Sequence, residues 1–469
     1  MGKAKLKPLG KLNRETLKQL SHDQLCDIVL KLVERVEDLE RRLNQNSSNS
    51  SKPPSSDPPG TQRKPKRPPS GKSPGGQPGH KGNFQKAFPE DRVNESKAVV
   101  PKRCDHCDHA LKGHDPNPHR HQIVELPPIQ LWIKEYLLHA LKCGHCGKMT
   151  RGKLPKGTSA RMMGPRLTAL TALLSGSFRM SKREVQAFLK AVFELEIALG
   201  SVTRCEEAVT VAIEPAVKEA IVYAQAQPFA NMDETGWKER RETAWLWTLD
   251  TALVAVYRID AKRSGEAMKE LLGDFAGVLG SDRYGAYTAY SRRRQLCWSH
   301  LLRDFEAIRA MRGKPGGIGR RLLSRARRIF ILWHRVKANK LSRKKFRNRL
   351  VYHQLKLEGL LREGANLVYG KKIRNTCRRI LKLRKSLWTF AHIKGVEPTN
   401  NAAERALRPA VLWRKGSFGT HSPLGSRFAE SILTVRATLK RQGRDLFGFL
   451  TQACQATLAG AKAPSLLPT

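Results

Sequence analysis

Residues 229–260 run FANMDETGWKERRETAWLWTLDTALVAVYRID, and this stretch decides the fold. It contains three mainly apolar runs, FANMDET, TAWLWTLD and ALVAVYRID, which are separated by short connections. Runs of this length with short connections are typical of consecutive antiparallel strands. We therefore predict a three-stranded meander whose first strand carries Asp233 inside an apolar run.

Helix and strand signals alternate after the meander. SGEAMKELLGD near 264–274 predicts a helix, GVLGSD predicts a strand that ends at Asp282, and RRQLCWSH predicts a fifth strand after a short helix. This order of elements is the one expected of a ribonuclease-H-like mixed α/β core. We assign the first part of the core to 228–302 and its last part to 397–440, with a helical insertion at 303–396. The predicted fold class is multidomain α+β.

The N-terminal segment, residues 1–43, carries a heptad pattern with β-branched residues at one seam position and leucine at the other. This arrangement favours a parallel two-stranded coiled coil. It predicts a homodimer or a higher oligomer, and the alternative is a helix packed on its own chain. The seam consists of Leu25, Val29, Leu32, Val36, Leu39 and Leu43. Residues 44–100 are rich in Ser, Pro, Gly and Lys, and we expect a disordered basic linker.

Two CxxC pairs lie within residues 101–150. They are Cys104 with Cys107 and Cys143 with Cys146, and an alternating stretch between them, 121–141, predicts a hairpin. Four thiolates suit a tetrahedral Zn²⁺ site, which with four protein ligands is structural. The sequence predicts a four-cysteine zinc-binding module, and four unrelated buried thiols are the alternative.

Residues 160–227 carry helix signals. Pro165 suits a first helical turn, and Ser181 with Glu184 forms a capping-box pattern. Ser201 is expected to cap a third helix after a turn through Gly200. Two short helices in this arrangement predict a helix-turn-helix-like DNA-binding region, although any helical bundle offers the same pattern.

The chain is strongly basic. Its 469 residues contain 87 Lys plus Arg against 41 Asp plus Glu, a net charge of +46. Residues 309–385 alone hold 26 basic and two acidic residues, interleaved with apolar residues at helical spacing. Charge of this density predicts binding to the DNA backbone. No signal-peptide pattern and no long apolar run is present, so we expect no membrane contact and a cytoplasmic, nucleoid-associated bacterial protein.

Three carboxylates are candidates for phosphodiester chemistry. Two divalent metal ions can activate a nucleophilic oxygen and stabilise the leaving oxygen, and such hard cations are held by carboxylates. Asp233 lies inside an apolar strand, Asp282 ends the neighbouring strand, and Glu404 lies on a helix after the insertion. Spacing alone does not choose them. The rival acids are Glu234, Asp250, Asp260, Asp274 and Glu306.

Several blocks in order resemble the large transposase of the insertion-sequence-sixty-six family. NSSNSSKPPSSD at 46–57 and GGQPGHKG at 75–82 resemble its linker, and the CxxC pairs its zinc finger. DETGWK at 233–238, SDRYGAY at 281–287 and CWSHLLRDF at 297–305 resemble its catalytic blocks. NNAAERALRP at 400–409 and RKGSFGTHS at 414–422 resemble its closing blocks, and QGRDLFGFL its small C-terminal helical domain, here 441–469.

The resemblance implies a DDE-type transposase that binds terminal inverted repeats and catalyses metal-dependent DNA end cleavage and strand transfer. Matched to the blocks, Asp233, Asp282 and Glu404 are the catalytic carboxylates and hold two Mg²⁺ or Mn²⁺ ions. Accessory proteins of the same element are implied as partners, beside the element ends and the target DNA. The candidate DNA-binding residues are His300, Arg303, Arg405, Arg408 and Lys415.

One position departs from the family pattern. An acidic residue commonly precedes the Asn pair, whereas Thr399 precedes Asn400 here; an acid at this position can cap the helix or support a metal, and Thr can still cap it. Two other readings of the sequence stay open. One is a non-catalytic DNA-binding regulator derived from a transposase, and the other is a junction or repair nuclease with the same core.

Overall fold

The computed structural model describes residues 18, 21–43, 79, 87–368 and 370–468. The predicted linker therefore lies mostly outside the described residues, as do most of residues 1–20. The chain divides into two units, 1–58 together with 135–469, and 59–134. The pair Cys104 and Cys107 belongs to the second unit, and the pair Cys143 and Cys146 to the first.

Helix α1 spans His22–Leu43. Its start is a capping box, because the Ser21 hydroxyl accepts from the Gln24 N–H while the Gln24 side chain accepts from the Ser21 N–H. Most of the heptad seam is exposed, with Val36 53% and Leu43 85% accessible. The predicted helix is confirmed over this range.

The hairpin predicted between the CxxC pairs is wrong. Residues 121–139 form no strand, and Pro127 and Pro128 at the centre of this stretch remove two N–H donors that a ladder needs. The hairpin instead encloses the second pair: β1, Ala140–Lys142, is antiparallel to β2, Met149–Arg151. An isolated antiparallel bridge, Arg103 to Ala110, encloses the first pair in the same way.

The helical region contains α2, Pro165–Ala172, then α3, Lys182–Phe193, and α4, Leu199–Gln225. Pro165 stands in the first turn of α2, and the Ser181 capping box begins α3, as predicted. The expected cap at Ser201 is wrong. Ala198 is the N-cap of α4, so that Ser201 and Gly200 lie inside the helix rather than in the turn.

A five-stranded mixed sheet follows. Its strands are β3, Phe229–Glu239; β4, Glu242–Asp250; β5, Ala255–Asp260; β6, Val278–Ser281; and β7, Arg294–Leu296. The strand order is β5-β4-β3-β6-β7, with β4 antiparallel to both β3 and β5 and with β6 parallel to both β3 and β7. Helix α5, Gly265–Leu272, and a 3-10 helix, Gly285–Ala289, lie where the sequence predicts helices. The predicted order of elements in the core is confirmed.

Five α-helices lie within the described part of residues 298–392. The helices are α6, Trp298–Arg309; α7, Gly313–Lys337; α8, Arg343–Ala365; α9, Lys371–Lys382; and α10, Thr389–His392. They share a core that includes Trp298, Phe305, Trp333, Phe346 and Phe390. The outer faces are basic, since most of the Lys and Arg residues between 309 and 385 are exposed.

The chain ends with α11, Asn401–Ser417, then α12, Pro423–Gln442, and α13, Leu446–Ala459. Ala406, Leu407 and Ala410 of α11 pack with Trp237 and Leu246 on one face of the sheet. The opposite face packs against α4, α5 and α12, and α13 packs on α4 in the same core. Among the described residues, no helix is long and apolar enough to cross a membrane.

Candidate active site

Asp233 and Glu234 are neighbours on β3, and strand geometry directs them to opposite faces of the sheet. Asp233 is on the same side as Trp237, which packs on α11. Glu234 is on the other side and is buried. It forms an ion pair with Arg263, whose Nη2 is 2.5 Å from Glu234 Oε1, and accepts from the Tyr287 hydroxyl.

Asp282 directly follows β6, which runs parallel to β3. The register pairs Asn231 with Gly280, so that Asp233 and Asp282 each lie two residues beyond paired positions. The Asp282 Oδ1 accepts from the Tyr284 N–H at 2.8 Å. The main chain is held as well, because Arg294 Nη2 donates to the Asp282 carbonyl oxygen at 3.0 Å.

Glu404 lies in the first turn of α11, and Asn400 anchors the start of this helix. The Asn400 Nδ2 donates to the Met232 carbonyl oxygen at 2.9 Å, beside Asp233. Its backbone N–H donates to the Cys297 Sγ at 3.2 Å, at the start of α6. One buried asparagine therefore connects the strand of Asp233, the start of α6 and the helix of Glu404.

Asp282 and Glu404 are close enough to Asp233 for their charges to act on it. Burial raises the pKa of Asp233 well above its ordinary value, and the charges of Glu234, Asp282 and Glu404 raise it further. Among the described residues, neither Asp233 nor Asp282 forms an ion pair. A divalent cation would remove this repulsion, and carboxylate oxygens are the donors that Mg²⁺ or Mn²⁺ prefers.

Several of the alternative candidates for the catalytic carboxylates pair with other residues. Asp250, on β4, is buried and paired with Arg441 of α12. Glu306 pairs with Arg309 within α6. Asp260 accepts from the Lys262 backbone N–H at 2.7 Å in an exposed turn. Glu234 forms an ion pair with Arg263, as described above.

His300 and Arg303 lie one helical turn apart on α6 and contact Glu404. The His300 Nδ1 is 3.7 Å and the Arg303 Nη2 is 3.4 Å from the Glu404 Oε1. Burial lowers the pKa of His300 below its ordinary value. The remaining candidates, Arg405, Arg408 and Lys415, are exposed on α11. Thr399 does not cap this helix, whose N-cap is Asn400.

Two residues beside Glu404, namely Asn400 and Cys297, are missing from the site that the sequence predicts. Asn400 was noted only as part of a motif, and Cys297 only as part of a block. Cys297 is buried and is the N-cap of α6. The spacing of Cys297 and His300 at the start of a helix could have indicated that these two residues belong to one site. The contacts of Asn400 are tertiary, so no local sequence pattern predicts them.

Each CxxC pair forms a tight turn with the same backbone geometry. The Asp108 N–H donates to the Cys104 carbonyl oxygen, and the Gly147 N–H donates to the Cys143 carbonyl oxygen, both at 2.9 Å. Asp108 and Gly147 have φ angles of 56° and 69°. Backbone N–H groups lower the pKa of Cys104 and of Cys143, which favours the thiolate that binds metal.

A comparison with known protein families finds a match that covers the sheet and α11. The family model described as Transposase IS66 family matches residues 161–427, more than half of the chain. A family of unknown function (DUF6444) matches residues 11–86.

The uncharacterized protein y4qI of Sinorhizobium fredii (strain NBRC 101917 / NGR234) is 26% identical over 237 residues, which cover 45% of this chain and 43% of the relative. The chain thus spans less than half the length of that relative. The family match includes all three carboxylates, both strands that carry the aspartates and the helix of Glu404, and the chain belongs to the IS66 family of transposases.

Proposed function

We propose that this transposase is a DDE-type enzyme that cleaves DNA at the ends of an insertion sequence and transfers the strands to target DNA. The observation that carries the proposal is the crowding of Asp233, Asp282 and Glu404 without a neutralising cation for either aspartate. The sheet order, with three antiparallel strands followed by two parallel ones, supports a ribonuclease-H-like core. Family membership supports the same reaction class.

Asp233, Asp282 and Glu404 would hold two Mg²⁺ or Mn²⁺ ions. Such ions lower the pKa of a bound nucleophile and neutralise charge on the leaving oxygen. The chain's own residues position these ligands. Arg303 and His300 restrain the Glu404 carboxylate, and Asn400 ties its helix to the strand of Asp233.

The exposed basic residues of the insertion and of α11 would contact DNA phosphates. The insertion offers a row of exposed Lys and Arg residues above an apolar core, and Arg405, Arg408 and Lys415 lie on the helix that carries Glu404. Phosphate contacts position DNA without reading its sequence. We assign recognition of the terminal inverted repeats to the helical region 160–227 and to the zinc module.

The remaining assignments extend the proposal. Each CxxC turn supplies two thiolates, and a structural Zn²⁺ held by Cys104, Cys107, Cys143 and Cys146 stays a prediction. The exposed seam of α1 supports pairing of two protomers as a coiled coil. The domain boundaries, the accessory proteins of the element and association with the nucleoid are proposals of the same kind.

In vitro strand transfer tests this function. Purified protein is incubated with a labelled element end, a target plasmid and Mg²⁺ or Mn²⁺, beside Asp282→Asn and the matched control Asp274→Asn, whose side chain is exposed. We expect joined product from the wild type and from the control, and none from Asp282→Asn. Tight DNA binding without product from any of the three would contradict the proposal and favour the regulator. Product from Asp282→Asn would contradict the assigned site.

A further inference from the structure

A sulfur, a nitrogen and an oxygen donor meet beside the proposed catalytic carboxylates. Cys297 and His300, at the start of α6, and Glu404, on α11, place one ligand atom each within 4.8 Å of one another. The Cys297 side chain is 3% exposed, whereas the Glu404 side chain is 31% exposed. The cluster is therefore buried at the sulfur and open to solvent at the carboxylate.

Three backbone N–H groups are directed at the Cys297 sulfur, although burial raises the pKa of this thiol above its ordinary value. The Asn400 backbone N–H donates to the Cys297 Sγ at 3.2 Å, and the N–H groups of Ser299 and His300 also point to it. Cys297 is the N-cap of α6, so its sulfur lies at the positive end of the helix dipole. Backbone N–H groups directed at sulfur stabilise the negative charge that a metal-bound thiolate keeps.

One ring nitrogen of His300 is available as a metal ligand. Its Nδ1 is buried and has no hydrogen-bond partner among the described residues. The Nδ1 is 3.7 Å from the Glu404 Oε1, close to the roughly 3.5 Å that separates two ligands of a tetrahedral zinc. The longest separation in the cluster has to shorten by about 1 Å for all three atoms to bind one ion.

We propose that Cys297, His300 and Glu404 form a binding site for Zn²⁺ that shares Glu404 with the catalytic carboxylates. A mixed sulfur, nitrogen and oxygen set suits Zn²⁺, whereas Mg²⁺ prefers oxygen alone. On binding, the Cys297 thiol releases its proton to solvent and the sulfur binds as thiolate. Because one carboxylate then serves Zn²⁺, occupancy of this site removes a ligand from the catalytic set and inhibits the transposase. The inhibition rests on the proposed function, whereas the binding does not.

Co²⁺ is the probe for binding, because a thiolate-to-cobalt charge-transfer band reports sulfur coordination. The metal-free full chain is titrated with Co²⁺ beside Cys297→Ser and His300→Ala. The four CxxC cysteines are unchanged in both variants, so any difference belongs to the cluster. Cys454→Ser, which removes a buried cysteine of α13, is the matched control.

We expect the wild type and Cys454→Ser to take up one more thiolate-bound Co²⁺ than Cys297→Ser, and His300→Ala to bind it more weakly. Equal cobalt spectra and stoichiometry in the wild type and Cys297→Ser would overturn the site. Asp233→Asn is expected to retain the cobalt band, since Asp233 is not one of the three ligands.

Inhibition is measured as the Zn²⁺ concentration that halves Mg²⁺-dependent strand transfer, each variant being compared with its own zinc-free rate. This concentration should rise roughly tenfold or more in Cys297→Ser, because losing a ligand costs at least as much affinity as losing a residue behind one. Cobalt binding without zinc inhibition would overturn the shared use of Glu404. A wild type without strand transfer would contradict the proposed function, while the cobalt titration would still decide the site.

Discussion

Two adjacent carboxylates, Asp233 and Glu234, have opposite environments. Glu234 is buried against Arg263 and Tyr287; burial raises its pKa, and these two partners lower it. Asp233, on the other face of β3, is compensated by no ion pair among the described residues and is raised in pKa by burial and by like charges. The difference follows from the two-residue period of a strand. At the residue scale, one carboxylate stabilises the fold and its neighbour is available for a cation.

Replacing Glu234 with Gln is expected to destabilise the protein by about 1–2 kcal/mol, since the Arg263 guanidinium loses its counter-charge but is 35% exposed and therefore partly screened by solvent. The Mn²⁺ dependence of DNA cleavage should stay that of the wild type. Urea unfolding measures the first effect and a Mn²⁺ titration of cleavage the second. The control is Glu242→Gln in an exposed position, with an expected change within about 0.5 kcal/mol. A shifted Mn²⁺ requirement in Glu234→Gln would make this residue a metal ligand and contradict the account.

The spacing of acidic residues could nominate Asp233, Asp282 and Glu404 but could not separate them from Glu234 or Asp250, and only the resemblance to a family selected them. The partners that distinguish them are remote in sequence: Arg263 and Tyr287 for Glu234, and Arg441 for Asp250. Such contacts depend on the tertiary fold rather than on a local pattern. The same reason explains why Asn400 and Cys297 were missed.

The first two helices of the insertion, α6 and α7, approach closely through glycines of α7. A Cβ atom at Gly319 would lie 2.3 Å from the Arg309 backbone nitrogen, whereas one at Gly317 would meet no atom closer than 3.9 Å. The backbone of α6 cannot move away without separating the shared core of Trp298, Phe305 and Leu322. At the element scale, this contact fixes how the insertion joins the sheet.

Gly319→Ala should lower the free energy of unfolding by about 1–3 kcal/mol because of this overlap. Gly317→Ala, the matched control in the same helix, should raise it by about 0.5–1 kcal/mol, since alanine is the better helix former. Thermal or urea unfolding of both variants measures the pair. Equal effects of the same sign in the two variants would contradict the packing.

Elements that have a clear local sequence signal are predicted correctly. Elements whose structure depends on competition between two local signals are not. The three runs of the meander and the Ser181 capping box were confirmed because their patterns are local. The hairpin predicted at 121–141 is wrong because the prediction gave more weight to the alternating pattern of this stretch than to Pro127 and Pro128. Ser201 failed as a cap because the helix begins earlier, at Leu199, with Ala198 before it.

The whole molecule carries +46, and its basic residues are concentrated on the insertion. On α9, Ile373, Cys377 and Ile380 are buried, while Arg378, Arg379 and Lys382 are exposed on the other side. A protein that neutralises phosphates releases counterions, so its affinity falls as salt rises. The insertion should therefore dominate the salt dependence of DNA binding.

Replacing Arg378, Arg379 and Lys382 with Ala should reduce the slope of log affinity against log salt by up to about 0.9 for each residue that contacts a phosphate. The control removes the same number of exposed charges outside the insertion, at Lys262, Lys269 and Lys440. Fluorescence anisotropy with a DNA duplex over a salt series measures both. A larger loss of slope in the control would place the DNA elsewhere.

The most direct test of the central claim joins stability and activity in Asp233→Asn. Without divalent metal, this variant should melt at a higher temperature than the wild type, because it relieves the repulsion among Asp233, Asp282 and Glu404, and the Asn oxygen can still accept from the Glu234 N–H. With Mg²⁺ or Mn²⁺ and DNA, it should bind element ends but give no strand-transfer product. A variant that melts at a lower temperature and still joins DNA would contradict the assignment of these carboxylates to a metal site.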